Sequence, residues 1–226
     1  MEPLRIDIWS DIACPWCYVG KRRLERALLE LQELHDSAPT AGVHLHWRSF
    51  ELDPQAPPSS PEPADYVARL SRKYGASPEQ AQGMIDGMVA TAAEEGLEFR
   101  FDIIRPGNTF DAHRLLQLAA TREGGEHLAG ALGERLLRAY MTEGQAMDDH
   151  EALLRLALEA SLEGDEVQRV LSSEAFAPEV RRDEAEAARI GVSGVPFFLF
   201  DGRLALSGAQ PAEVLVEAMR RVIAEA

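Results

Sequence analysis

The stretch LRIDIWSDIACPWCYVGKRRLERALLEL, Leu4 to Leu31, decides how the rest of the chain is read. Its first part alternates Leu4, Ile6 and Ile8 against Arg5, Asp7 and Trp9, the period of a short strand. Its last part sets Leu24, Ala27, Leu28 and Leu31 at helical spacing, with Arg22, Arg23, Arg26 and Glu30 on the other face. Between the two stands CPWC, which holds both cysteines of the 226-residue chain, Cys14 and Cys17. Two cysteines placed at random in this length would fall three apart in roughly one arrangement in a hundred. Pro15 suits the first turn of the helix, where its missing N–H costs nothing. The sulfurs therefore belong to a strand–loop–helix junction and not to a disulfide framework.

That position has chemical consequences. The thiolate, not the thiol, is the nucleophile in disulfide exchange. Unpaired N–H groups and the positive end of the helix dipole face Cys14 and favour its anion. Cys17, one turn further on the same face, is near enough to close a short disulfide. The pair can thus attack a partner, form a mixed disulfide and resolve it internally. Trp16 brings bulk without charge, so a milder oxidant is expected than with His in its place. A zinc site would need four ligands and one CxxC supplies two; His44 and His46 alternate on a strand, and nothing places them near Cys14. Haem attachment needs His directly after the second Cys, where Tyr18 stands.

Further out, APTAG (Ala38 to Gly42) reads as a connection and VHLHWRSFEL (Val43 to Leu52) as a second strand, which completes a βαβ unit. DPQAPPSSPEP, Asp53 to Pro63, carries five prolines and reads as another connection. From Ala64 to Ala188 helix signals dominate. They predict helices over Tyr66–Tyr74, from Ser77–Pro78 through Met84, Met88 and Ala92, and over Asn108–Thr121, His127–Met141, Asp149–Glu159, Asp165–Leu171 and Pro178–Arg189. Asn108 is expected to cap its helix, with Asp111 reaching back. Strand character returns in VPFFLFDGRLALSG: Asp201–Gly202 predicts a hairpin turn, and Arg203 to Ser207 pairs back. A last helix from Pro211 presents Val214, Leu215, Ala218, Met219 and Val222 on one face. Without its helical middle the chain is β-α-β followed by β-β-α, the layout of a thioredoxin fold. The expected class is α/β, with residues 1–60 and 189–226 as the two halves of a thioredoxin domain and 61–188 as an all-helical insertion.

Charge excludes some functions. The chain has 23 Lys and Arg against 38 Asp and Glu, a net charge of −15. Such a surface repels phosphate backbones and anionic lipid, so neither nucleic acid nor a membrane is an expected partner. Most of the excess lies between Pro61 and Glu184, with 24 acidic against 13 basic residues, and reads as a solvated helical face. The N-terminus shows no signal-peptide pattern and no stretch has membrane-span length, so a cytoplasmic location is expected.

CPWC at a helix start, the long helical middle and the late VSGVPFF resemble the DsbA family of thiol–disulfide oxidoreductases. SDIACPWCYVGKRRLE, NTFDAHRL (Asn108 to Leu115) and GVPFFLFDGRLALSGAQP (Gly194 to Pro211) are similar, more closely, to its FrnE-like branch. The resemblance spans essentially the whole chain. It implies a cis Pro196 packed beside the cysteines, and a Val195 backbone that hydrogen-bonds an extended substrate. It makes Cys14 the attacking and Cys17 the resolving cysteine. From the residues alone, Val195–Pro196 could equally be an edge-strand bend. Relatives with the same insertion, the 2-hydroxychromene-2-carboxylate isomerases and kappa-class glutathione transferases, generally carry Ser at the attacking position and use glutathione; here both cysteines are present. The expected activity is dithiol–disulfide exchange with protein or small-molecule thiols and disulfides. A glutathione-dependent isomerase or transferase acting on a small aromatic or polyketide-like molecule is the alternative. No cofactor is expected beyond the Cys14–Cys17 pair, with glutathione as a conceivable co-substrate and an electron donor still to be identified; a homodimer stays open. Pro15, Trp16, Val195, Pro196 and Asn108 are the expected substrate contacts. His113 reads as a structural residue ahead of a functional one, and Lys21, Arg22 and Arg23 as a solvated face ahead of a source of positive potential for Cys14.

Overall fold

The computed structural model describes residues 3–34 and 42–225; the APTAG connection, Gly42 apart, lies outside the described residues. The elements are β1 (Leu4–Ser10), α1 (Pro15–Leu34), β2 (Val43–Ser49), α2 (Tyr66–Tyr74), α3 (Pro78–Glu94), α4 (Phe110–Ala120), α5 (Gly125–Met141), α6 (His150–Glu159), α7 (Gly164–Leu171), α8 (Ala177–Arg189), β3 (Phe197–Phe200), β4 (Leu204–Ser207) and α9 (Ala212–Ala224). The four strands form one sheet in the order β2-β1-β3-β4. β1 runs parallel to β2 and antiparallel to β3, and β3 turns back antiparallel into β4. This is the α/β thioredoxin arrangement, with α2 to α8 interposed in the chain between β2 and β3.

Two large cores hold it together, with a smaller third cluster around Trp9. Leu4, Ile6 and Ile8 of β1 and Phe198 and Phe200 of β3 pack against Leu24, Ala27 and Leu31 of α1 and Leu215, Met219 and Val222 of α9. The helices α2 to α7 bury their own cluster, which includes Leu115, Leu132, Leu136, Tyr140 and Leu153. Tyr18 and Val19, in the opening turns of α1, belong to this second cluster, so one helix is part of both cores.

Several details depart from the sequence expectations, each for a local reason. β1 does not alternate between core and solvent, because it is an inner strand covered on both faces. Trp9 is buried with Ala187 and Val192 on the face opposite α1, and its Nε1–H donates to the Asp183 carbonyl at 2.9 Å. β2 stops at Ser49, and Phe50 to Leu52 leave the sheet. Thr109, not Asn108, stands at the N-cap of α4, without a side-chain cap bond. Asn108 Oδ1 accepts from Phe110 N–H at 2.8 Å, and Asp111 faces Arg114 and His150 instead of reaching back. The β3–β4 turn takes three residues, since Phe200 pairs with Leu204; Asp201 and Gly202 both adopt positive φ, and Arg203 is turn, not strand. Val214 points out, and Val216 takes the buried place beside Leu215.

The face of the sheet opposite α1 is fastened by charge. Arg48 on β2 holds Asp7 of β1 at 2.7 Å and Asp183 of α8 at 2.9 Å. Burial alone would raise the Asp7 carboxyl, but Arg5 and Arg48 outweigh it and hold the group below its ordinary value. Asp183 also accepts from Ser49 N–H at 3.0 Å and from the Gln117 amide at 2.6 Å. Removing one partner of a buried, hydrogen-bonded ion pair costs more than the pair is worth, because the other charge is left without compensation. Asp183→Ala is therefore expected to cost about 3 kcal/mol, seen as a lower urea midpoint at unchanged m-value; a loss under 1 kcal/mol would show that α8 is not fastened this way.

Candidate active site

The loop after β1 turns by a backbone bond, Cys14 N–H to the Asp11 carbonyl at 3.2 Å, and α1 starts at Pro15. Cys14 is 4% exposed and Cys17 2% exposed, and both are free thiols. The Cys17 amide donates to the Cys14 carbonyl at 3.1 Å, and Cys14 lies near enough to raise the Cys17 thiol. Cys14 Sγ donates to the Val195 carbonyl at 3.5 Å. The Val195–Pro196 peptide is cis, and it delivers β3 to the cysteine pair. Four of the expected residues thus meet at one place: Cys14, Cys17, Val195 and Pro196. Pro15 and Trp16 lie over the same turn, and Trp16 is 40% exposed, a large apolar surface beside the reactive sulfur.

Asn108 stands apart from this contact set. Its amide donates to Glu51 at 3.1 Å and to the Pro54 carbonyl at 3.5 Å, so it secures the chain that leaves β2. The expectation of a solvated basic face on α1 is overturned. Lys21 is buried and bonded to Glu25 and to Glu134, the latter at 3.0 Å. Arg22 bonds the same two carboxylates, and Arg23 bonds Glu95 at 2.6 Å. The reason is tertiary: α5 and the end of α3 bring acids onto this side of the helix. Burial would raise Glu134, yet Lys21, Tyr18 and Arg22 hold it below its ordinary value. The Tyr18 hydroxyl, 2.6 Å from Glu134, is pushed up by burial and by that carboxylate.

Sequence reasoning did not find Asp11. It is 2% exposed, and its carboxylate accepts from Leu52 N–H at 2.8 Å and Ala13 N–H at 3.3 Å. Its own N–H donates to Cys17 Sγ at 3.5 Å. A polar pair at a strand end, Ser10–Asp11, reads as ordinary turn chemistry, and only the fold shows what closes around it. The Cys17 thiol is pushed well up, first by burial and then by Cys14, against the pull of Asp11 N–H and Ser10. Cys17 is accordingly held protonated.

Comparison with known proteins fits this arrangement. Residues 5–220 match the family described as the DSBA-like thioredoxin domain. A Streptomyces coelicolor protein described as a probable DsbA oxidoreductase has a similar structure, with a TM-score of 0.85 and 43% identity, over 99% of this chain and 91% of that one. A 2-hydroxychromene-2-carboxylate isomerase superposes with a TM-score of 0.69 at 18% identity, over 98% and 97% of the two chains. The cytosolic disulfide reductase DsbM of Pseudomonas aeruginosa does so with a TM-score of 0.64 at 20% identity, over 96% and 99%. The last two share the fold.

Gly20 is the spacing element of the site. A Cβ there would stand 2.8 Å from Pro196 Cγ. Helix propensity alone favours Gly→Ala by roughly 0.5–1 kcal/mol, whereas overpacking against a rigid ring costs about 1–3 kcal/mol. Gly20→Ala is expected to be net destabilising and to displace Val195–Pro196 from Cys14, with a lowered melting temperature and slower disulfide exchange. A stabilised, fully active variant would show that Pro196 yields freely.

Proposed function

The chain belongs to the family of DSBA-like thioredoxin domains, and from that premise we propose that it exchanges disulfides by a dithiol mechanism at Cys14 and Cys17. The observation that carries this is the placing of two free thiols, one turn apart at the opening of α1, with the cis Val195–Pro196 peptide against Cys14. In the reductive direction, the Cys14 thiolate attacks one sulfur of a substrate disulfide, and the other sulfur leaves as a thiolate. The resulting Cys14 mixed disulfide is then attacked at Cys14 Sγ by Cys17. The second substrate sulfur departs, and the enzyme is left as the Cys14–Cys17 disulfide, oxidised by two electrons. Every step reverses when the substrate is a dithiol.

The substrate lies over Pro15 and Trp16 in this reading, with its backbone against Val195 and Pro196, while Asn108 steadies the neighbouring chain after β2. The location is cytoplasmic and the net direction reductive, since a glutathione poise of about −220 to −320 mV keeps such pairs largely as thiols. The fold shared with a cytosolic disulfide reductase supports that direction. Glutathione is the co-substrate that would recycle the Cys14–Cys17 disulfide.

Cys17→Ala removes the resolving sulfur and keeps the attacking one. It is expected to accumulate mixed disulfides on Cys14, visible as mass adducts released by dithiothreitol. Its insulin-reducing turnover should fall by at least ~100-fold, the scale on which loss of a reacting group is felt. Cys14→Ser should form no adducts. A Cys17→Ala protein that turns over normally and carries only glutathione would replace this reading with glutathione-assisted isomerisation.

A further inference from the structure

Resolution requires Cys17 to lose a proton, and burial leaves no bulk water beside it to take one. His113, from the NTFDAHRL stretch on α4, is 1% exposed. Its Nε2 lies 3.3 Å from Asp11 Oδ1. An ionised carboxylate only accepts hydrogen bonds, so the ring proton belongs on Nε2 and the lone pair on Nδ1. That Nδ1 is buried and has no hydrogen-bond partner among the described residues. His113 lines a cavity bounded by β1, β2, α1, α4 and α5, to which Ser10, Lys21 and Ser49 also contribute. The water-sized interior of this cavity measures ≈ 20 Å³, enough for one water molecule. Ser10 lines the cavity, and Asp11 N–H, the next amide in the chain, donates to Cys17 Sγ at 3.5 Å, which sets the sulfur beside Ser10; the Ser10 side chain pulls the Cys17 thiol down.

We propose that His113 receives the Cys17 proton during resolution, through the Ser10 hydroxyl and one water in this cavity, with Asp11 as the residue that positions the ring. The proposal rests on the dithiol reading above. The step balances: Cys17–SH gives its proton to Ser10 as Ser10 gives one to the water and the water gives one to His113 Nδ1. The Cys17 sulfur pair then forms the bond to Cys14 Sγ as the substrate thiolate leaves. Reduction of the enzyme by an incoming dithiol returns the proton by the same route.

The charges around the ring suit that task. Asp11 faces Nε2, Glu51 lies within electrostatic reach, and Lys21 and Arg48 stand across the cavity. Lys21 is matched by Glu25 and Glu134, Arg48 by Asp7 and Asp183, and Glu51 by Arg181 at 2.5 Å. Asp11 has no Lys or Arg partner among the described residues, and its one ion-pair contact is His113. An imidazolium formed on proton transfer therefore finds a counterion waiting.

The test is stopped-flow reaction of the reduced full-length protein with excess 5,5′-dithiobis(2-nitrobenzoate), followed by release of thionitrobenzoate. Attack by Cys14 releases the first equivalent and resolution by Cys17 the second. His113→Gln, whose amide can still donate to Asp11, and Ser10→Ala are expected to slow the second phase at least tenfold, within the range of general-base effects. The first phase should stay within twofold. The second-phase rate should also climb about tenfold per pH unit in the variants between about pH 7 and 9, as for an unassisted thiol, and less steeply in the wild type. A folded His113→Gln with a wild-type second phase overturns the relay; should that variant fail to fold, Ser10→Ala decides by the same criterion. A wild-type protein that releases a single equivalent overturns the dithiol reading itself, an outcome distinct from two phases that no variant alters.

Discussion

The constraint on which the rest depends is that one helix is shared by two cores. Leu24, Ala27 and Leu31 fix the later turns of α1 on the sheet, while Tyr18 and Val19 fix its opening turns in the helical cluster. The first turn, with both cysteines, is therefore held from two sides and buried at the seam. Burial at a seam imposes a rule on polar groups: each must find a partner in place or be costly. Asp11 answers for several of them, with Leu52 N–H and Ala13 N–H on its carboxylate and Cys17 on its own N–H. The carboxylate thereby ties the end of β1 to the chain leaving β2, and α4 is added through His113.

The same seam explains where the charges go. A chain with a net charge of −15 has few cations to spare, and α1 gathers Lys21, Arg22 and Arg23 on the side that meets α5 and the end of α3. Glu134 and Glu95 receive them. Pairs with part of each group in water contribute little singly. A network in which one glutamate serves Tyr18, Lys21 and Arg22 gains more from its geometry, because it fixes the rotation of α1 against the helical unit. That rotation sets which way Cys14 and Gly20 face relative to Pro196. Electrostatics at a distance from the sulfurs is thus a matter of aim.

Much of this was legible in sequence, for identifiable reasons. The strand–CPWC–helix junction is encoded locally: Pro15 can open a helix, and the apolar period beyond it is unbroken. Asp201–Gly202 is likewise a local signal, and both residues take the positive φ that such a turn needs. What failed to show is non-local. Trp9 alternates correctly for a strand, yet nothing near it in sequence announces that α8 will cover its face. Arg22 and Arg23 look solvated because the acids that bind them to the helical unit, Glu134 and Glu95, lie more than seventy residues away. Asp111 has the spacing of a capping residue, but Arg114 and His150 compete for it and win. Asp11 and Ser10 were in plain view, and their role depends on a cavity that only the packed helices create.

The balance of forces on Cys17 gives the exchange its order. Burial raises the thiol most; the hydrogen bond and the charge of Cys14 raise it further, while Asp11 N–H and Ser10 lower it. In the resting dithiol these influences keep Cys17 protonated, so it does not compete with Cys14 for substrate. Formation of the mixed disulfide locks Cys14 Sγ into a neutral S–S bond, and both of the Cys14 contributions go with it. Asp11 N–H and Ser10 remain, and both favour a negative sulfur. Cys17 becomes easier to ionise once its neighbour has reacted, with no rearrangement of the backbone. The resolving step is thus enabled by the attacking step itself, through the loss of an ionisable neighbour in a site that burial has made sensitive to charge.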